Sequence, residues 1–255
     1  MTNRPQLDGH FDLTGKVALV TGGSRGLGYE MVKAFAIHGA DCIIASRKLD
    51  ACETVAEEVR ALGRRAMAHS VHAGRWPQID ELIERSYDEF GRIDILVNNA
   101  GMGPASPSHD VTESLFDSIL NLNFKGPFRL ASQVANRMAA DGGGCIINVS
   151  SSASLRPMPH VTVYSAAKSA VNAMTRSLAS EYGPTVRVNT LSPGPFLTDI
   201  AKAWEPEDRE RSDNAIGRPG APDEIVSAAL FLASPSSSYV TGSLVRVDGG
   251  MDLSV

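Results

Sequence analysis

Short apolar runs alternate along this chain with longer stretches in which apolar positions recur every three or four residues. Lys16 to Val20 is a strand-like run flanked by turn signals. Tyr29 to His38 has helical spacing, with Met31, Val32, Phe35 and Ala36 on one face and Gly39 as its stop. Asp41 to Ser46 predicts a second strand. Leu49 to Leu62 predicts an amphipathic helix ending at Gly63. Arg65 to Val71 is a third strand, Pro77 to Phe90 a third helix closed by Gly91, and Ile93 to Val97 a fourth strand. Thr112 to Ala140 is one long helical stretch, expected to bend at Gly126-Pro127 because proline disrupts helix interiors. After a turn at Asp141 to Gly144, Cys145 to Val149 is strand five and Thr162 to Tyr182 a helix. Val186 to Leu191 is strand six, Pro222 to Ala233 a helix, and Ser243 to Val247 the last strand. Such alternation predicts an α/β fold, with a mainly parallel seven-stranded sheet covered by helices on both faces.

The chain has 255 residues, 43% of them apolar, enough for a sizeable core. No linker, repeat or shift in composition divides it, so one domain is expected, with residues 1–12 as an N-terminal arm. The formal charge of −5 argues against a nucleic-acid partner. Neither a signal peptide nor a membrane-spanning run is visible, which points to the cytoplasm. The three cysteines, Cys42, Cys52 and Cys145, lack metal-ligand spacing and read as buried free thiols. His69 and His72 lie in an apolar, strand-like run, so no metal site is expected.

Candidate chemistry sits at the ends of the predicted strands. Strand one runs into Thr21-Gly22-Gly23-Ser24-Arg25-Gly26-Leu27-Gly28 and then a helix. Glycines let backbone N–H groups approach a phosphate, and the helix N-terminus adds partial positive charge. This strand–turn–helix unit makes a Rossmann-type dinucleotide fold the better reading than a bare tight turn. Strand two ends in Ala45-Ser46-Arg47-Lys48, with no acid to take a ribose 2′-hydroxyl. Arg47, with Arg25, would flank a 2′-phosphate, so NADP(H) is preferred and NAD(H) remains possible. Strand four delivers Asn98-Asn99-Ala100-Gly101, and strand five delivers Ser150-Ser151-Ser152. Tyr164 and Lys168 stand four apart on a predicted helix and so share a face. An ammonium beside a phenol is expected to lower the phenol's pKa and make it a proton donor or acceptor nearer neutral pH. Residues 195–218, charged and irregular around Trp204, read as a substrate lid.

Taken together, these residues resemble the short-chain dehydrogenase/reductase family over nearly the whole chain. The resemblance rests on Thr21-Gly22-x-x-x-Gly26-x-Gly28, on Asn98-Asn99-Ala100-Gly101, and on Ser151 thirteen residues before Tyr164-x-x-x-Lys168. Pro193-Gly194 with Thr198, and Val247-Asp248-Gly249-Gly250, complete it. Within the family the pattern is similar to 3-oxoacyl-carrier-protein reductases and to gluconate 5-dehydrogenase-like members. The resemblance implies reversible hydride transfer between a carbonyl and a secondary alcohol. Tyr164 would be the general acid or base and Ser151 a hydrogen-bond partner of the substrate oxygen. The neighbours Ser150 and Ser152 are alternatives that spacing disfavours. Lys168 would tune Tyr164 and hold the nicotinamide ribose, and Asn123 would hold a relay water. Gly22, Ser24, Arg25, Gly26, Leu27 and Gly28 would line the phosphates. Ser46, Arg47, Asn99, Ala100, Gly101, Pro193, Gly194 and Thr198 would complete the cofactor site. His72 stands where relatives commonly carry an Asp against adenine, which leaves that one contact open. Leu155, Pro157, Met158 and Phe196 suggest a partly apolar substrate site. Arg156 and His160 read equally as partners of an acidic group or as solvated rim residues. A homotetramer or dimer, packed through the helices of Asn123 and Tyr164, is implied. Two alternatives stay open: an NAD(H)-linked alcohol or sugar-acid dehydrogenase, and a non-catalytic nucleotide-binding scaffold.

Overall fold

The computed structural model describes residues 9–199, 201 and 204–251. The predicted arm at 1–8 lies outside the described residues, as do 200, 202 and 203 of the predicted lid. Seven strands form one sheet: β1 (Val17–Thr21), β2 (Asp41–Ser46), β3 (Ala66–Ser70), β4 (Ile95–Asn98), β5 (Gly144–Val149), β6 (Val186–Pro193) and β7 (Leu244–Val247). Their order is β3-β2-β1-β4-β5-β6-β7, and every pairing is parallel. The chain winds outward from β1 in one direction and from β4 in the other. That divergence leaves a crevice at the carboxyl ends of β1 and β4.

The helices are α1 (Gly26–Ile37), α2 (Leu49–Ala61), α3 (Trp76–Phe90), α4 (Glu113–Leu120), α5 (Gly126–Ala140), α6 (Thr162–Tyr182), α7 (Pro206–Glu210) and α8 (Val226–Ala233). Successive strand residues point to opposite faces. Ala18, Val20, Cys42, Ile44 and Ile147 therefore pack with Met31 and Phe35 of α1, Val55 of α2 and Leu232 of α8. Val17, Leu19, Ile43, Leu96 and Ile146 pack with Leu82 of α3, Leu130 of α5 and Val171 of α6. Strand β1 is buried at all five positions, as a central strand covered on both faces must be. The three cysteines are free and buried, as expected. Burial raises their thiol pKa values, that of Cys145 to about 11.

Two expectations need correction. The long helical stretch deviates before Gly126-Pro127, through a π-helical turn at Asn121–Lys125, where the Gly126 N–H donates to the Asn121 carbonyl. Gly126 and Pro127 then open α5, whose first turn tolerates proline. Phe196 does not line a pocket; it is 6% exposed, lies in the core beside α8, and is packed closely by Gly220. No helix among the described residues is long and apolar enough to cross a membrane.

Opposite the crevice, one buried carboxylate ties the strands. Asp94, 4% exposed, accepts from the Val17 N–H at 3.0 Å, from Lys16 at 3.3 Å and from Arg92 Nε at 2.9 Å, with a second Arg92 contact. Removing the carboxylate strands the buried Val17 N–H, while the exposed Lys16 and Arg92 can turn to water, so Asp94→Ala should cost about 1–3 kcal/mol of unfolding free energy in a urea titration. Breaking the exposed Arg60–Glu53 pair with Glu53→Ala should cost less than about 1 kcal/mol.

Candidate active site

The glycine-rich turn follows β1 directly, and its shape is set by close backbone approach. Gly22 has φ +67°, and a side chain there would put its first carbon 2.8 Å from Asn99 Nδ2. At Gly28 the same carbon would lie 2.3 Å from the Gly22 carbonyl oxygen and 2.5 Å from Asn99 Nδ2. Asn99 holds the turn from below, its Nδ2 donating to the carbonyls of Thr21 at 3.0 Å and Gly22 at 3.3 Å. The Asn99 side chain therefore shapes the crevice wall. Helix α1 starts at Gly26, so its N-terminus and unpaired N–H groups face that crevice. A bare backbone cradle at a helix N-terminus fits a pyrophosphate. The half-buried Leu27 packs its side chain against the core.

Ser24 Oγ donates to Ser46 Oγ at 2.9 Å, which ties the turn to the end of β2 and brings Arg47 to the same edge. The backbone of Arg47 is fixed by the Ser70 hydroxyl, which donates to its carbonyl at 3.1 Å. Arg25 is exposed and pairs with Asp199 at 3.3 Å, across the crevice mouth. His72 lies on the loop after β3, where its Nδ1 accepts from the Gly74 N–H at 3.2 Å. On the far wall, Pro193 ends β6, and Gly194 lies against Asp248, which a side chain there would meet at 2.7 Å. Thr198 stands 3.4 Å from the position of a Gly26 side chain.

Three serines end β5 in different settings. The Ser150 hydroxyl donates to the Lys168 carbonyl at 3.1 Å and is buried, and Ser152 is buried as well. Ser151, half-buried, accepts from the Ala153 N–H at 3.2 Å and hydrogen-bonds with the Tyr164 phenol. Helix α6 carries Tyr164 and Lys168 on one face, with the Lys168 ammonium 5.7 Å from the Tyr164 ring centre. Lys168 Nζ donates to the Val149 carbonyl at 2.8 Å. Asn123, fully buried in the π turn, donates from Nδ2 to the carbonyls of Met102 at 2.8 Å and Ile119 at 2.9 Å. Its Oδ1 accepts from the Met102 N–H at 3.3 Å. Gly101 is the meeting point: a side chain there would lie 2.8 Å from Asn123 Oδ1 and 3.5 Å from Lys168 Nζ. The structure thus brings Asn123, Ser151, Tyr164 and Lys168 together at the carboxyl ends of β4 and β5.

The expected electrostatics are reversed at the phenol. Burial raises the Tyr164 pKa above the ordinary phenol value, and the hydrogen bond with Ser151 only partly opposes this. Burial also drives Lys168 down to about 8. The ammonium is itself desolvated, so desolvation outweighs the lowering that a fully charged neighbour would give.

Sequence reasoning missed Met102, whose backbone N–H and carbonyl both hold Asn123, and Gly103, which lies 3.1 Å from the Tyr164 ring at its would-be side chain. The two glycines around Met102 were the available signal. Arg156, left open above, is directed at Asp213 at 3.3 Å and at the Met251 carbonyl at 3.2 Å.

The short chain dehydrogenase family model matches residues 16–209. The chain belongs to this short-chain dehydrogenase/reductase family. It is similar to a 3α-hydroxysteroid dehydrogenase of Mediterraneibacter gnavus, at 37% identity over 93% of this chain and 97% of the relative. A 3-oxoacyl-[acyl-carrier-protein] reductase of Thermotoga maritima is 35% identical, covering 94% of this chain and 98% of its own. Among solved structures, a 7α-hydroxysteroid dehydrogenase complexed with NADH and 7-oxo glycochenodeoxycholic acid superposes with a TM-score of 0.91 at 34% identity, covering 98% of both chains. The chain is accordingly a short-chain oxidoreductase of hydroxyl and carbonyl substrates, in a family that binds NAD(P). In such an enzyme the closeness of Gly28 to Gly22 has a direct consequence. Gly28→Ala must push the turn out of place, so its melting temperature should fall and NAD(P)H should bind at least about tenfold more weakly by fluorescence titration.

Proposed function

We propose that this short-chain dehydrogenase interconverts a carbonyl and a secondary alcohol with NADP(H), using Tyr164 as the proton donor or acceptor. The observation that carries the reading is the convergence of Asn123 Oδ1 and Lys168 Nζ on Gly101, beside Tyr164 and Ser151. When bound, the nicotinamide supplies or takes up the hydride. Gly22, Gly26 and Gly28 hold the pyrophosphate by backbone N–H groups. Arg25, Ser46 and Arg47 take the 2′-phosphate, and His72 borders the adenine. Ala100, Gly101, Pro193, Gly194 and Thr198 border the nicotinamide side.

In reduction, the Tyr164 O–H donates to the carbonyl oxygen as negative charge develops there, and the Ser151 hydroxyl donates to the same atom. Lys168 and a water held at Asn123 return a proton to Tyr164 from solvent. The described parts of the expected lid, 195–199, 201 and 204–218, would border the substrate. The exposed Leu155, Met158 and Leu197 supply apolar contacts around it. The exposed aromatic rings of Phe116 on α4 and Phe128 on α5 support association through these helices as a homotetramer or dimer. The unpaired buried thiols agree with the reducing cytoplasm.

An NAD(H)-linked dehydrogenase is the second reading, favoured by the Arg25–Asp199 pair, which engages one of the two phosphate-binding arginines. Titrating NADPH and NADH against wild type and Arg47→Ala separates the two. NADPH should bind at least about tenfold more tightly to wild type, and Arg47→Ala should remove most of that difference. Equal affinity in wild type favours the second reading. Turnover is then sought with an acetoacetyl thioester, a keto sugar acid and a keto bile acid. Tyr164→Phe should lower kcat by at least about a hundredfold at unchanged cofactor affinity. Absence of turnover with every probe would favour a nucleotide-binding scaffold.

The pH dependence follows from the shifted groups. Tyr164, raised by burial, stays protonated through neutral pH, while Lys168 is charged below about 8 and neutral above it. The reduction rate should therefore be flat near neutrality and fall as pH rises through about 8. Oxidation, which needs the phenolate, should keep rising beyond that pH, because the raised Tyr164 phenol still holds its proton there. A reduction rate that climbs above that pH would contradict the assignment.

A further inference from the structure

A π turn is rare as an insertion in an α-helix, so its surroundings must favour it over the regular helix on either side. Here the turn Asn121–Lys125 is held from outside by residues 73–76. Gly126 admits no side chain, since its first carbon would lie 1.7 Å from the Ala73 carbonyl oxygen. A side chain at Gly74 would also crowd the turn, its first carbon 3.0 Å from the Asn121 carbonyl carbon. Backbone meets backbone there, and Trp76 closes the contact. Its indole N–H donates at 3.2 Å to the carbonyl of Lys125, the last residue of the turn. The Arg129 guanidinium lies 5.0 Å and the Lys125 ammonium 5.7 Å from the ring centre. Arg129 is in turn fixed by Asp80 through two bonds at 2.8 and 2.9 Å. On the inner side of the same turn, Asn123 makes its bonds to Met102 and Ile119.

We propose that Trp76 is a positioning residue for Asn123: by holding the outer side of the π turn it sets where the Asn123 carboxamide meets Gly101 and Lys168. This rests on the reading of Asn123 as part of the proton path. Loss of one hydrogen bond would let the turn relax toward regular α-helix, which rotates Asn123 away from Met102. A stabilising role alone would lower the melting temperature and leave turnover untouched.

Trp76→Phe, which keeps an aromatic ring for the two cations but removes the donor, tests this. It is compared with Asn123→Ala and with the double variant, using the fastest of the three carbonyl probes. Trp76→Phe should lower kcat about five- to thirtyfold, with NADPH affinity unchanged and the alkaline limb of the pH profile displaced. In the Asn123→Ala background it should change kcat less than about twofold, because the residue it positions is gone. Equal effects in both backgrounds, or an intact kcat with a lowered melting temperature, would overturn the proposal. If Asn123→Ala alone leaves kcat intact, the proton-path reading fails instead. Positioning is then decided by the crystal structure of Trp76→Phe: Asn123 still bonded to Met102 would overturn it, and a displaced carboxamide would uphold it.

Discussion

The carboxamide of Asn99 ties the ends of β1 and β4 together where the sheet would otherwise part. It donates to two carbonyls of the glycine turn, and its own backbone N–H is held by the Thr21 hydroxyl at 3.0 Å. Strand ends at a topological switch point have backbone groups that no neighbouring crossover covers. Left unsatisfied they would cost free energy, and filled by bulky side chains they would close the crevice. A short amide below and glycines above satisfy the backbone while leaving the crevice bare. The same logic extends along the sheet. Asn98 donates to Asn148 at 2.9 Å, and Asn148 donates to Thr175 of α6 at 3.0 Å. These buried bonds fix α6, and hence Tyr164 and Lys168, to the strand ends.

That fixation explains why the site's electrostatics depend on burial more than on pairing. Lys168 is 3% exposed and its one described hydrogen-bond acceptor is a neutral carbonyl, so its charge is costly. A fully solvated lysine would stay charged far above neutral pH and could not exchange a proton there. Held down to about 8, it can both carry and release one near neutrality. Tyr164 is raised by the same desolvation. Two groups whose ordinary values are nearly equal are thus moved in opposite directions, with the lysine becoming the more easily deprotonated.

The strands were legible because a central parallel strand must be apolar on both faces. The runs at 17–20, 42–45 and 145–149 therefore stand out against any helical period. The helix of Tyr164 was legible to the residue, Thr162–Tyr182, because its apolar spacing is unbroken. Tyr164 and Lys168 could be placed on one face because α6 is regular, and Ser151 could be placed near a strand end because β5 stops two residues before it. What could not be read was decided by contacts distant in sequence. The π turn depends on the Ala73 carbonyl meeting Gly126, and Pro127 drew attention to the wrong position. Phe196 follows Pro193-Gly194-Pro195, where an exposed loop is the natural expectation. Gly220, twenty-four residues on, makes room for its ring in the core. The direction of the Tyr164 shift was missed because spacing places the ammonium beside the phenol without saying how dry both are.

The Arg25–Asp199 pair bears on whether the phosphate-binding edge is available. Both side chains are substantially exposed, at 68% and 40%. Ion pairs in such settings contribute about 0–1 kcal/mol, because water screens them and both side chains lose freedom. A charge-assisted hydrogen bond to a phosphate oxygen contributes about 1.5–3 kcal/mol. On the proposed reading, exchanging this exposed contact with Asp199 for a 2′-phosphate would be favourable for Arg25. Against a 2′-hydroxyl the same arginine gains little and keeps its aspartate. Arg47 is fixed only through its backbone among the described contacts, which leaves its guanidinium to turn toward the same phosphate. The pair that speaks for the NAD(H) reading is thus weak enough to yield to a 2′-phosphate, so it does not by itself decide against the proposed NADP(H) preference.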